Sequence, residues 1–133
     1  MDKELEKTGL NRISPEMLEL TSALAENLAQ SEPFIRFKAA ESKLNTDKEA
    51  LHMLAELSEL QQKIRTQQYA GGIIESDLMR LRELQNAIGA NDTIQDHLLT
   101  QEFAVGFLRE VNQEISNLLG IDFASLTRRS GCC

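Results

Sequence analysis

From Ile94 to Leu119, eight residues recur at alternating steps of four and three: Ile94, Leu98, Gln101, Val105, Leu108, Asn112, Ile115 and Leu119. Steps of that size keep one side of a 3.6-residue helix, whereas a strand would need steps of two. The sequence therefore predicts one continuous helix over about 92–119 with a heptad seam. At 1.5 Å per residue such a rod is roughly 40 Å long, longer than a compact chain of 133 residues is wide. Part of it is expected to project beyond its own bundle, and the eight seam residues are expected to form an interface with a partner. Gln101 and Asn112 interrupt the apolar seam. Either they are buried there, where a polar side chain fixes register and oligomer state, or they face water because the stripe drifts around a straight helix. Gly106 lowers helix propensity and suggests either close approach of another backbone or a tolerated defect.

The rest of the chain reads as helices of the same kind. Ser14-Pro15 is a cap followed by proline at the first helical position, and Met17, Leu20, Leu24 and Leu28 form a stripe expected to be buried in a helix over 15–30. Ser31-Glu32-Pro33 breaks that helix and starts another over 32–44. Asn45-Thr46-Asp47 makes the next turn, and Leu51, Leu54, Leu57, Leu60 and Ile64 carry a long helix to about Tyr69. Gly71-Gly72 ends it, and a fourth helix bears Leu78, Leu81, Leu84 and Ile88 before Gly89-Ala90-Asn91. The short turn at the glycines makes helices three and four antiparallel neighbours. Phe34, Phe37, Phe103 and Phe107 are expected in the core, since aromatic burial dominates packing where rings are few.

The fold class is thus all-α: an antiparallel helical hairpin bundle of about five helices with a long C-terminal helix, oligomerising through coiled-coil-like packing. Twenty Leu and twelve Ala against eleven Val plus Ile support helix over sheet. Domain organisation follows as a flexible N-terminal arm over 1–13, a helical domain over 14–122 and a flexible tail over 123–133. No run of about 18 apolar residues is present, so a membrane span is not expected. The formal charge of −7 disfavours direct nucleic-acid binding. The first residues, MDKELEKTGLNR, have no apolar stretch of the signal-peptide kind, so a cytoplasmic location is expected.

Catalytic chemistry has no visible seat. GxxxxGK[ST], GxGxxG and HExxH are all absent, and His52 and His97 are each alone on a predicted helix. They read as surface or boundary residues. The charged stretch from Glu75 to Glu83, with Arg80 and Arg82, reads as a solvated helix face with i, i+3 or i, i+4 pairing. An enzyme is not expected.

Cys132 and Cys133 are the only cysteines. Adjacent Cα atoms stand about 3.8 Å apart, below the usual disulfide range, so the two are poorly placed to pair with each other. Two thiolates fill half of a four-ligand site, with the other ligands coming from a partner. Arg128 and Arg129 would favour the thiolate form. The thiols are otherwise incidental. A redox or metal/iron–sulfur carrier using this pair is the alternative function.

Taken together, Phe37-Lys38-Ala39-Ala40, Leu44, Asp47, Glu49-Ala50, Gln61-Gln62, Gly71-Gly72, Ile88, Asn91, Ile94, Val111-Asn112 and Ile115 resemble the bacterial YlbF/YmcA family over about residues 16–120. The resemblance implies a small, all-helical, cytoplasmic, often oligomeric regulator linked to competence, sporulation and biofilm development. It implies partners of the YmcA and YaaT kind, a link to RNase Y-dependent processing of messenger RNA, and an iron–sulfur cluster shared with those partners through Cys132 and Cys133. In YlbF itself the cysteine-rich tail is longer and more spaced than the adjacent pair here. The functional expectation is a non-enzymatic regulatory or adaptor protein that works by protein–protein interaction.

Overall fold

The computed structural model describes residues 12–128. They form six helices and, among the described residues, no strand: α1 (Pro15–Gln30), α2 (Glu32–Thr46), α3 (Lys48–Ala70), α4 (Glu75–Gly89), α5 (Asp92–Leu119) and α6 (Phe123–Thr127). The first five match the helices expected from periodicity and turn chemistry. The sixth falls within the stretch assigned to the tail from 123. It is a single turn capped by the Asp122 carboxylate, which accepts from the Ser125 amide at 3.4 Å, and five residues are too few to register as a periodic pattern.

Local chemistry sets the boundaries. The Ser14 hydroxyl accepts from the Met17 amide at 3.1 Å, the Asp47 carboxylate from the Ala50 amide at 3.0 Å, and the Asn91 side-chain oxygen from the Ile94 amide at 2.9 Å. Each satisfies one of the amide groups left over at a helix start. α3 and α5 end on Gly71 (φ 113°) and Gly120 (φ 72°), both in the left-handed region that glycine enters without a Cβ clash.

α3 and α4 are antiparallel, as their short connection implies. Arg80 on α4 reaches Glu56 on α3 through two bonds of 2.7 and 3.0 Å, and Lys63 meets Asp77 at 3.0 Å nearer the turn. Gln67 closes the turn by donating to Asp77 at 2.6 Å while its own oxygen accepts from the Ile74 amide at 3.1 Å. The Arg80–Glu83 pair at spacing three is the surface pairing expected from sequence, but the cross-helix bond to Glu56 is the shorter.

The core lies where α2, α3, α4 and α5 meet. Leu44, Ala50, Leu84, Ile88 and Ile94 form it, with Met53, Leu54 and Leu57 against them. α5 has its most extensive contact with α2. The Phe34 and Phe107 rings meet edge to face at 6.5 Å, and the Phe37 and His97 rings lie 5.5 Å apart, so the two helices run antiparallel. His97 is thus a boundary residue packed on an aromatic ring.

Two expectations about burial are corrected. The stripe Met17, Leu20 and Leu24 is not buried in the chain, and α1 has no buried residue. α1 meets mainly α2, and its apolar side has nothing opposite it large enough to exclude water. Phe103 is not a core aromatic either. It is 58% exposed, because the inward side of α5 passes one residue later, through Ala104.

Candidate interaction surface

All three buried residues of α5, Ile94, Thr100 and Ala104, lie in its first half. His97 and Phe107 are half-buried on the same side. The Thr100 hydroxyl donates back to the carbonyls of Asp96 and His97 at 2.9 and 3.0 Å, which lets a polar side chain sit in that contact without an unpaired group. The bundle side of α5 therefore runs Ile94, His97, Thr100, Ala104, Phe107.

The heptad seam starts on that side and then leaves it. Ile94, 2% exposed, belongs to the core and not to an external interface. From Leu98 onward the seam is displaced from the buried side by one residue, about 100° around the helix. Leu98 is 50% exposed, Leu108 is 41% exposed, and Val105 and Leu119 are also exposed. Gln101 faces water, whereas Asn112 and Ile115 are half-buried near the distal end. Asn112 borders an open hollow between α5 and α6 that is also lined by Arg109, Ser116, Ser125 and Arg128.

Beyond the Phe34–Phe107 contact, α2 has ended and α5 continues for residues 108–119, about 18 Å at 1.5 Å per residue. Nothing of that length is buried: Leu118 is 86% exposed. α6 folds back over the last turns, where Phe123 donates its amide to the Ser116 hydroxyl at 3.1 Å and the Ile121 amide reaches the Ser116 carbonyl at 3.2 Å. Nearer the bundle, Leu99, Phe103 and Pro33 wall a groove of ≈ 680 Å³, with the Glu32–Arg36 ion pair beside it.

Among the described residues, no atom outside the neighbouring turns of its own helix comes within 4 Å of where a Gly106 Cβ would stand.

Hydrogen bonds from Arg80 hold Glu56 below its ordinary range, and bonds from Gln67 and then Lys63 do the same for Asp77. The Ala50 amide and then the Thr93 hydroxyl lower Asp47. Arg80 is raised in turn, chiefly by its bond to Glu56. All are structural pairs that join helices or cap one.

Cys132 and Cys133 lie outside the described residues. Among the described residues no group of three or more His, Cys, Asp or Glu is placed to hold a metal ion. No helix among the described residues is long and apolar enough to cross a membrane.

Residues 17–119 match the family model described as control of competence regulator ComK, YlbF/YmcA. The chain belongs to the YlbF/YmcA family. The match covers α1 to α5, the helices that frame the surface described above. A UPF0342 protein of Caldicellulosiruptor saccharolyticus is 25% identical over 99 residues, spanning 74% of this chain and 82% of that protein. A UPF0342 protein of Caldicellulosiruptor bescii is 25% identical over 95 residues, spanning 71% and 80%. Among solved structures, Bacillus subtilis RicA in complex with RicF superposes with a TM-score of 0.69 at 21% identity, covering 81% of this chain and 96% of that one. A Bacillus stearothermophilus protein of unknown function, DUF964, gives 0.55 at 20% identity, covering 79% and 93%. Both share the helical fold.

Proposed function

We propose that this YlbF/YmcA-family chain is a non-enzymatic regulatory adaptor that acts by docking to other proteins through the outward side of α5. The observation that carries the reading is the run of exposed apolar residues at Leu98, Val105, Leu108 and Leu119, on a helix that outlasts its partner α2 by three turns. Leaving so much of one apolar stripe in water sacrifices burial, at roughly 25 cal/mol per Å², unless a partner covers it. Family membership supports a regulatory role, and RicA, which shares the fold, was solved in complex with RicF. On this reading the chain joins YmcA- and YaaT-like proteins, and through them influences developmental gene expression by RNase Y-dependent processing of messenger RNA.

The test is co-expression with a second YlbF/YmcA-family protein from the same genome, followed by co-purification. The unaltered chain should bring the partner with it, and Leu98→Asp with Leu108→Asp should not, because each change buries an unpaired carboxylate in the contact. Retention of the partner by a folded double variant would refute the assignment of this face.

A further inference from the structure

The hollow between α5 and α6 has a volume of ≈ 730 Å³, inside the roughly 300–1,000 Å³ range of small-molecule sites. Arg109, Asn112 and Ser116, at steps of three and four, line it from one side of α5, and Arg128 lines it from just beyond α6. Arg109 and Asn112 stand two or more turns before the end of α5, outside the last turn within which the negative end of the helix dipole acts.

The two guanidiniums set the charge of this hollow. Neither forms an ion pair with a described residue, and no Asp or Glu stands three or four residues from Arg109 along the helix. Glu110 and Glu114 belong to the same stretch, but they lie about 100° and 140° round α5 from Arg109. Both line a separate depression with Phe107 and Val111. Asp122 does line the hollow, and its carboxylate is engaged as the cap of α6, accepting from the Ser125 amide at 3.4 Å.

Bonds within the hollow occupy acceptors and leave donors. The Asn117 oxygen accepts from Gln113 at 2.9 Å, so the Asn117 NH₂ is left to donate. The Ser116 hydroxyl accepts from the Phe123 amide at 3.1 Å and keeps its own proton. Two guanidiniums beside unspent N–H and O–H groups suit an anion. A phosphate monoester, with a charge of about −1.5 to −2 at neutral pH, answers both cations, whereas a single carboxylate answers one. A phosphate group fills only a small part of the hollow. The side-chain amides of Asn112, Gln113 and Asn117 line the rest with groups that pair with hydroxyls.

We infer that this hollow binds a small phosphate monoester with a hydroxylated body, of the sugar-phosphate class, its phosphate on Arg109 and Arg128. The bound ester joins the chain just beyond α6 to the side of α5. The inference does not use the exposed leucines of the proposed docking face, so the two readings fail separately.

Isothermal titration of the full chain with glycerol phosphate, ribose phosphate, ribose and inorganic phosphate tests it. At least one ester should saturate at one per chain at millimolar concentration, inorganic phosphate should bind more weakly, and ribose should not bind. Arg109→Gln and Arg128→Gln, both at exposed positions and so compatible with folding, should each weaken the ester at least about tenfold. Arg82→Gln, exposed on α4, should leave its affinity unchanged. Hydrogen exchange should show the amides of residues 121–127 better protected with the ester than without it. Failure of both esters to saturate, binding of ribose or inorganic phosphate as tight as that of the esters, or full affinity in both Arg109→Gln and Arg128→Gln would overturn the inference.

Discussion

Ile94 and Leu98 are one turn apart on α5, yet Ile94 is closed into the core and Leu98 is half in water. The boundary between inside and outside therefore crosses the heptad seam at its first step. What looks like one apolar stripe in the sequence is a core residue followed by residues that the described chain leaves mostly in water.

That difference separates two truncations. Ile94→Ala should destabilise the fold by about 2–5 kcal/mol, since it removes a fully buried side chain and leaves a cavity. Leu98→Ala should cost the fold well under half of that while weakening association. Urea denaturation of both variants, followed by a binding measurement, checks the split.

Asn91 caps α5 by accepting from the Ile94 amide. Asn91→Ala should lower stability by about 1 kcal/mol, and Asn91→Asp should retain most of it, because either side chain offers an acceptor to that amide. Thermal melts of the two variants distinguish a cap from a side chain that only occupies space.

Gly106 sits within α5, and among the described residues nothing outside its own helix lies near its missing Cβ. Gly106→Ala should raise stability by about 0.5–1 kcal/mol through the helix propensity of alanine. A loss of association in that variant would show instead that another chain's backbone closes on the position.

The pH response should lie on the acid side. Asp47, Glu56 and Asp77 are all held below their ordinary values by groups they meet only in the folded state. Such groups contribute stability above their unfolded pKa values of roughly 4 and lose it as pH falls through the lower folded values. Melting temperature should be flat near neutrality and drop below about pH 4. Arg80→Gln should shrink the Glu56 part of that drop.

Most of the architecture was legible because it is written in short-range chemistry. Ser14-Pro15, Asp47, Gly71, Asn91 and Gly120 punctuate the chain at places that local hydrogen bonding and backbone conformation dictate. Burial was less legible, since periodicity shows that a helix has an apolar side but not whether the chain supplies anything to cover it. Met17, Leu20 and Leu24 looked like a buried stripe, and Phe103 like a core ring, for that reason. Ile94 was read together with the outward residues although it belongs to the core, and the bundle side of α5 includes Thr100 and Ala104, which a search for large apolar residues passes over. Small or self-bonded side chains on the inward side were the available signal. Arg80 with Glu56 and Gln67 with Asp77 were invisible for a different reason, because long-range pairs depend on how the hairpin closes.

Hydroxyl-radical footprinting of the unaltered chain in cells that express it measures most directly whether the outward side of α5 is covered. Tyr69, 88% exposed at the end of α3, serves as the internal reference. The account predicts that Phe103, Leu108 and Leu119 are modified far less, relative to Tyr69, than their exposure in a lone chain dictates. Modification in proportion to that exposure would contradict it.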